Sequence, residues 1–325
     1  MRSATATMIA AAALLAGACE RAPAPADFTD LEQANLPSAA RVGGSGVVLD
    51  VTTAGMDFDL RDVIPSGWTT VRYHNRSSFT HFFVIEKMPE GRTVEDSRRE
   101  VVPVFQAAWN LIEAGDAAAG FAEFSNLPEW FSEIVFTGGP GLIAPGGTAE
   151  TTLYLEPGTY VIECYVKAPD GTFHTTMGML RGLVVTEDAS GGREPRAAYD
   201  VRISNSGMEL EGTPRPGLRT FAVHFDEQMT HEHFLGHDVH LVRLADNTDL
   251  DEVAAWMNWA TVGALTTPAP AEFLGGTQEM PAGNTAYFTA LLTPGRYALV
   301  AEVPDPIGKN MLKTFVVPAG AQSSP

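Results

Sequence analysis

An internal repeat constrains the fold of this 325-residue chain more than any other feature of its sequence. The motif FTGG at 136–139 recurs as FLGG at 273–276, and PGTY at 157–160 recurs as PGRY at 294–297. In both copies a Thr-Ala dipeptide precedes the second motif at the same spacing. Self-similarity at a fixed spacing indicates two copies of one structural unit. We therefore expect tandem domains at residues 42–187 and 199–318, joined by a Gly/Pro/charge-rich linker at residues 188–198.

Short segments of each copy alternate β-branched or aromatic residues with polar ones, and Pro-Gly and Gly-Gly turns separate these segments. Such period-two alternation predicts strands. Many short strands between such turns predict an all-β fold, here two Greek-key β-sandwiches. Thr93 and Thr248 open acidic segments ahead of Trp109 and Trp256. These segments predict a short helical insertion in each copy, with the threonine as N-cap.

The first copy contains four side chains that suit a metal. Cys164, His174 and Met179 follow one another closely, and alternation places the Cys164 sulfur on the apolar face of its strand. His81 lies on the apolar face of an earlier strand and is the candidate for the fourth ligand. A thiolate, two imidazoles and a weak axial thioether are the donors of a blue-copper centre. We predict one such copper ion, with Met177 as the alternative to Met179.

These motifs resemble those of the cupredoxins. Residues 71–81 are similar to the strand and loop that supply the first histidine, and residues 158–164 to the strand that supplies the thiolate. Residues 174–179 are similar to the loop of the second histidine and the axial methionine. The resemblance covers the first copy in order, apart from an extra helical segment at about residues 93–131. It implies cupredoxin-like domains and one-electron transfer through a single type 1 copper ion.

The second copy lacks the same donors. Ala301 stands where the first copy has Cys164, and the loop that leads to Met311 is shorter and has no histidine. This copy nevertheless holds five of the eight histidines of the chain: His224, His231, His233, His237 and His240. We expect these histidines to form a polar, partly exposed hairpin. The alternative is a secondary copper or zinc site, because imidazole is the commonest metal ligand.

The first residues indicate the compartment. One arginine and an apolar run predict a signal peptide at residues 1–19. The run ends in the lipobox-like sequence AGAC, so Cys19 is the predicted lipidation site, followed by an Ala/Pro-rich tether at residues 20–41. A lipidated Cys19 leaves Cys164 without a disulfide partner. We expect the protein to face the periplasm in the bacterial cell envelope, held by its lipid alone and favouring the outer membrane, and to end in a tail at residues 319–325.

Charge and missing motifs narrow the possible functions. The formal net charge of −19 argues against a nucleic acid partner. The sequence shows no nucleophile elbow, phosphate-binding loop or zinc-protease motif. Glu163 precedes Cys164 where multicopper enzymes have a histidine that connects further copper ions. We therefore expect an electron carrier that meets a redox partner protein, rather than an enzyme. A chaperone or store served by a copper donor, and a metal-free envelope interaction module, are the alternatives.

Overall fold

The computed structural model describes residues 46–319, which belong to one compact unit. The predicted signal peptide, Cys19, the tether and residues 320–325 of the tail lie outside the described residues. Among residues 46–319, the helices are all too short or too polar to cross a membrane.

Fifteen strands account for most of the regular structure. The strands of the first half are β1 (Val47–Thr53), β2 (Val63–Asn75), β3 (Val84–Lys87), β4 (Val135–Phe136), β5 (Thr148–Leu155), β6 (Gly158–Glu163) and β7 (Leu180–Ala189). Those of the second half are β8 (Tyr199–Ser204), β9 (Gly207–Glu211), β10 (Gly217–Phe225), β11 (Val239–Leu244), β12 (Glu272–Thr277), β13 (Thr285–Leu292), β14 (Gly295–Val300) and β15 (Leu312–Val317).

Helices are few and short. They are α1 (Val94–Asp96), α2 (Val102–Glu113), α3 (Ala117–Glu123), α4 (His174–Met177) and α5 (Leu250–Trp256). A π-helical turn (Ser97–Val101) and 3-10 turns (Phe124–Asn126, Glu129–Glu133 and Glu232–Phe234) accompany them. Most of this helical structure lies between β3 and β4, where the sequence predicts an insertion, and α5 lies at the corresponding place in the second half.

The strands form layered sheets in each half. Residues of β2 before Gly67 pair with β7, and residues from Gly67 onward pair with β5 on one side and with β1 on the other. One layer therefore has the order β4-β3-β6-β7-β2, and the next runs β2-β5-β13-β10-β8-β9. A separate sheet in the second half has the order β12-β11-β14-β15. The predicted all-β fold, with β-sandwich layers and a helical insertion in each half, is confirmed.

Strands β5 and β13 join the two halves in one sheet. They pair antiparallel through three residue pairs, from Glu150 with Thr289 to Thr152 with Tyr287. At the centre of this junction the buried Thr151 hydroxyl donates to the carbonyl of Gly276, 2.8 Å away. Alternate residues of β5 are buried, and a single apolar core runs through both halves. The metal-binding side chains predicted from the sequence lie in the first-half part of this core.

The two helical insertions begin in different ways. Thr93 forms the predicted capping box with Asp96 ahead of α1. Ahead of α5, however, the N-cap is Asp249, whose carboxylate accepts from the backbone N–H of Asp251. The prediction of Thr248 as this N-cap was wrong, because the Thr248 hydroxyl accepts instead from the backbone N–H of Ala245 and closes the preceding turn.

Candidate metal centre

Cys164 lies at the centre of the candidate site. It follows the last residue of β6, and its backbone N–H donates to the carbonyl of Met179 at 3.2 Å. The side chain is fully buried. Its sulfur lies 3.6 Å from Nδ1 of His81 and 3.6 Å from Nδ1 of His174. The two predicted histidines therefore converge on the predicted thiol.

His81 is held in an orientation that suits a ligand. Its backbone forms a two-way bridge with Ile143, and its Nε2 lies 2.8 Å from the Ser77 hydroxyl. That hydroxyl donates its own proton to the side-chain oxygen of Asn75, 2.8 Å away, so it accepts from His81. The proton of the neutral ring is thus placed on Nε2. The lone pair of Nδ1 then faces the sulfur, as in metal sites where the second ring nitrogen is hydrogen-bonded.

Asn75 and Ser77 support the site through hydrogen bonds around His81. The Asn75 amide donates to the carbonyls of Phe79 and Ile143, at 2.7 and 3.1 Å. One buried amide thereby ties the loop that carries His81 to the neighbouring chain segment. In the sequence, the only indication of this role for Ser77 is its position four residues ahead of His81.

His174 and Met179 come from one short helix and the turn after it. His174 is the first residue of α4, and its backbone N–H and C=O bond to Val166 and Met179 at 2.9 Å each. The His174 ring is fully buried, and its Nε2 has no hydrogen-bond partner among the described residues. The ring of Phe79 covers it, with 5.8 Å between the ring centroids.

The two candidate axial methionines occupy different environments. Gly178, with φ at 127°, turns the chain between them, a conformation that glycine adopts at little cost. Met179 is fully buried in the same apolar cluster as Cys164, whereas Met177 is 44% exposed. Met179 is therefore the methionine that the fold places in the interior with the other three donors.

Burial determines the protonation of the site in the absence of metal. It lowers the pKa of His81 to about 3, with a further contribution from His174, and lowers the pKa of His174 to about 4. It also raises the pKa of the Cys164 thiol to about 12. At neutral pH both imidazoles are uncharged, which is the form that binds metals, and the thiol must exchange its proton for the metal. One soft thiolate with two neutral imidazoles fits copper.

A second buried group of metal-type side chains joins Asp238, His240 and Glu302, whose ligand atoms lie within 4.8 Å of one another. Nδ1 of His240 accepts from the backbone N–H of Leu142 at 2.9 Å, so Nε2 carries the proton and donates to Asp238 at 2.7 Å. Metal binding at Nε2 would require the proton on Nδ1, where it would oppose the N–H of Leu142. The group is better described as a hydrogen-bonded link between the two halves.

The histidines of the second half do not form the expected partly exposed hairpin. His237 and His240 are fully buried. His224 lies on β10, where its ring bonds to Asp200 and Thr285. His233 stacks on Phe121 of the first half, with 4.9 Å between the ring centroids. His224, His231 and His233 are partly exposed, as expected, but the strands that flank segment 226–238, β10 and β11, lie in different sheets and do not form a hairpin.

A cavity of about 70 Å³, partly open to solvent, lies beside the metal centre. Its walls include Glu163 and Tyr165, the sequence neighbours of Cys164, and Phe173 and Thr175, the neighbours of His174. Aromatic rings from the helical insertion and from the second half complete the wall. The sequence does not predict this cavity, because its wall is assembled from both halves.

No family model matches the chain, and neither does any curated protein. Among solved structures it is similar to auracyanin A, a "blue" copper protein from the green thermophilic photosynthetic bacterium Chloroflexus aurantiacus, at 23% identity and a TM-score of 0.27. That match covers 43% of this chain and 98% of auracyanin A. The donors His81, Cys164 and His174, which the sequence resemblance to the cupredoxins implies, come together in the structure.

Longer stretches of the chain are similar to copper enzymes at lower identity. A copper-containing nitrite reductase from Thermus scotoductus is 12% identical, over 86% of this chain and 63% of that chain, with a TM-score of 0.22. A multicopper oxidase is also 12% identical, over 83% of this chain and 87% of that chain, with a TM-score of 0.21. With these values the assignment of the metal centre rests on the geometry of its own side chains.

Proposed function

We propose that this chain binds one copper ion through His81, Cys164, His174 and Met179 and transfers single electrons. The observation that supports this function is the approach of both Nδ1 atoms to the Cys164 sulfur, at 3.6 Å each, inside the apolar core. Bound copper would supply the chemistry by alternating between Cu(I) and Cu(II).

In this proposal the protein holds the four metal-binding side chains in fixed positions. The bridge from His81 to Ile143 and the bond from Cys164 to Met179 are backbone hydrogen bonds, and neither depends on a metal. The Ser77 hydroxyl holds the His81 ring from the other side. Donors that are already in place limit the rearrangement that a change of charge requires, which favours rapid electron exchange.

The proposed location is the bacterial cell envelope, with the protein anchored through lipid on Cys19, facing the periplasm and favouring the outer membrane. Two sequence features support it: the apolar run that ends in AGAC, and a buried Cys164 without a second described cysteine. The proposed partner is a redox protein in the same compartment. The alternative is a copper chaperone or store. It would receive copper from another protein and bind it through the same four side chains without transferring electrons.

The experiment that tests the proposal is a titration with Cu(II) of a form that begins after Cys19. We expect one copper ion per chain and a strong visible thiolate-to-Cu(II) band. Cys164→Ser should abolish the band and leave the far-ultraviolet circular dichroism unchanged. Copper uptake by the unaltered chain without this band would exclude the type 1 assignment and favour the chaperone or store.

The cavity beside the metal centre favours a second candidate function, in which a small aromatic reductant supplies the electron instead of a protein. Filling the cavity with Val102→Trp, a change on α2 away from the four donors, should then slow bleaching of the Cu(II) band by hydroquinone at least tenfold. Val316→Trp, at a 60% exposed position, is the matched control. Equal bleaching rates in both variants would rule out this second function.

A further inference from the structure

Two histidines of the second half, His231 and His237, form a pair that the copper centre does not use. Their ring centroids lie 5.0 Å apart. The Nε2 atoms of both rings are buried, and neither has a hydrogen-bond partner among residues 46–319. A buried polar atom without a partner is destabilising, so two of them side by side require an explanation.

The orientation of His237 is that of a metal ligand. Its side chain is fully buried, and Nδ1 lies 3.1 Å from the backbone carbonyl of Glu227. Because a carbonyl can only accept, Nδ1 of the neutral ring carries the proton and Nε2 presents its lone pair. Histidines that bind metals usually donate their other ring N–H in this way. The arrangement is the reverse of that at His240, whose Nδ1 accepts.

The loop that carries the pair is fixed by its own hydrogen bonds. The side chain of Gln228 accepts from the backbone N–H of His237 at 2.6 Å and donates to the carbonyl of the same residue at 3.1 Å. The same amide nitrogen also donates to the carbonyl of Met280 at 2.9 Å. At the other end, the backbone N–H of His231 donates to the carbonyl of Leu235 at 2.7 Å. The two rings are thus brought together before any ligand arrives.

Charged side chains of both signs lie near the pair. Burial lowers the pKa of both rings, and this shift is opposed by Glu227 and Asp238 near His237 and by Glu232 near His231. Lys309 lies close enough to lower the pKa of His231 further. It pairs with Glu232 at 3.6 Å, which offsets part of its charge. A cation between the rings would meet one lysine and three carboxylates, so the choice of Cu(I) rests on the two imidazole donors themselves.

We propose that His231 and His237 form a second copper site, which binds Cu(I) through their two Nε2 atoms. Imidazole is a good ligand for copper, and Cu(I) accepts two nitrogen donors without further ligands. The site lies in the half of the molecule that lacks the thiolate, and it does not depend on copper binding at Cys164.

Competition for Cu(I) between the full chain and a chromogenic chelator, under anaerobic conditions, tests this site. The unaltered chain should retain two Cu(I) ions, whereas His231→Gln and His237→Gln should each retain one. His224→Gln is the matched control, because both nitrogens of its ring are already bonded, and it should retain two. After oxidation, the thiolate band should be the same in His231→Gln as in the unaltered chain.

The outcomes separate the two copper sites. If Cys164 binds no copper, the counts fall to one for the unaltered chain and none for His231→Gln, and the histidine pair still stands. An unchanged Cu(I) count in His231→Gln would overturn the pair as a site. Because His231 is partly exposed, this variant should fold even if replacement of the fully buried His237 disturbs the loop.

Discussion

The two halves of the molecule share a backbone arrangement but differ in their chemistry. In the first half the N–H of Cys164 donates to the carbonyl of Met179 at 3.2 Å, and in the second the N–H of Ala301 donates to the carbonyl of Met311 at 3.0 Å. The glycines that open β6 and β14 have φ values of 155° and 156°. The tyrosines two residues later each bond back to a carbonyl four positions upstream, at 2.7 and 2.8 Å.

This comparison distinguishes the residues that determine the backbone arrangement from those that form the metal centre. The second half keeps the hydrogen bond from Ala301 to Met311, the counterpart of the bond from Cys164 to Met179, although Ala301 cannot bind a metal. The backbone arrangement therefore does not require a thiol, whereas the proposed copper binding depends on a thiol and on a loop long enough to present His174. The second half instead places its unpaired imidazoles in the loop before β11.

The largest expected effect is an all-or-none difference between the two matched positions. Cys164→Ala should remove the thiolate-to-Cu(II) band completely. Introducing the thiol in the second half of that variant, with Ala301→Cys, should not restore the band, because the loop up to Met311 has no histidine. Visible absorption after addition of Cu(II) checks this. A restored band would show that the second half supplies histidine ligands to the introduced thiol, contrary to the comparison of the two halves.

Two matched glycines should show a smaller difference. Gly139 and Gly276 have φ values of 140° and 136°, and a Cβ atom would collide with the carbonyl oxygen of Phe83 in one case and Val239 in the other. Replacing either by Ala should lower the free energy of unfolding by at least about 2 kcal/mol, as measured in urea. Only Gly139→Ala should also alter the copper band, because Phe83 lies two residues after His81. Alteration of the band by Gly276→Ala would show that the junction between Gly276 and Thr151 also positions the donors.

Acid should destabilise the copper-free protein through the first half. The folded-state pKa values of His81 and His174, about 3 and about 4, lie below the ordinary 6.5. The unfolded chain therefore binds more protons, and the stability is present above pH 6.5 and lost as the pH falls toward 3. Each histidine contributes up to roughly 3–5 kcal/mol by this route. Urea unfolding of copper-free His81→Gln should show a weaker loss between pH 6.5 and 4; an unchanged slope would argue against a buried neutral His81.

Alkali should act with the opposite sign through buried carboxyl groups of both halves, Glu86 and Glu163 in the first and Glu279 and Glu302 in the second. Burial, with a contribution from Asp238, raises the pKa of Glu279 to about 8. The folded state then holds a proton that the unfolded state loses near pH 4.5, so this stability falls as the pH rises from 4.5 through 8. Glu279→Gln should flatten the alkaline side of the stability profile and leave the acid side unchanged. Flattening of the acid side instead would contradict the assignment of this alkaline loss of stability to Glu279.

The smallest expected effect concerns the axial ligand. Met179→Gln should lower the reduction potential and retain copper, because an oxygen donor stabilises Cu(II) more than a long thioether contact does. Met177→Gln and Met311→Gln should change neither potential nor copper content, since one is at the surface and the other lies in the half without a thiolate. Redox titration of the visible band measures all three. A change in potential for Met177→Gln alone would reassign the axial ligand.

The sequence predicted those parts of the structure that depend on residue type and local order. Cys164, His174 and His81 could be found because their donor atoms are chemically distinctive, and strand alternation predicted an inward-facing side chain for Cys164 and His81. Ser77 and His240 could not be assigned a role, because their partners, His81 and Leu142, are reached only through tertiary packing. The N-cap at Asp249 was missed for a local reason: Thr248 and Asp249 are both good caps, and the turn before them decides.

The pairing of β5 with β13 is a further feature that the sequence does not reveal, and it has a consequence for any attempt to separate the halves. In the intact molecule β5 lies between β2 and β13, so its backbone groups are occupied on both sides. A fragment ending at the linker would expose β5 as an unprotected edge. Exposed edges of this kind recruit other strands, so such fragments would tend to self-associate through β5. Within the intact chain, the second half therefore also protects the first against aggregation.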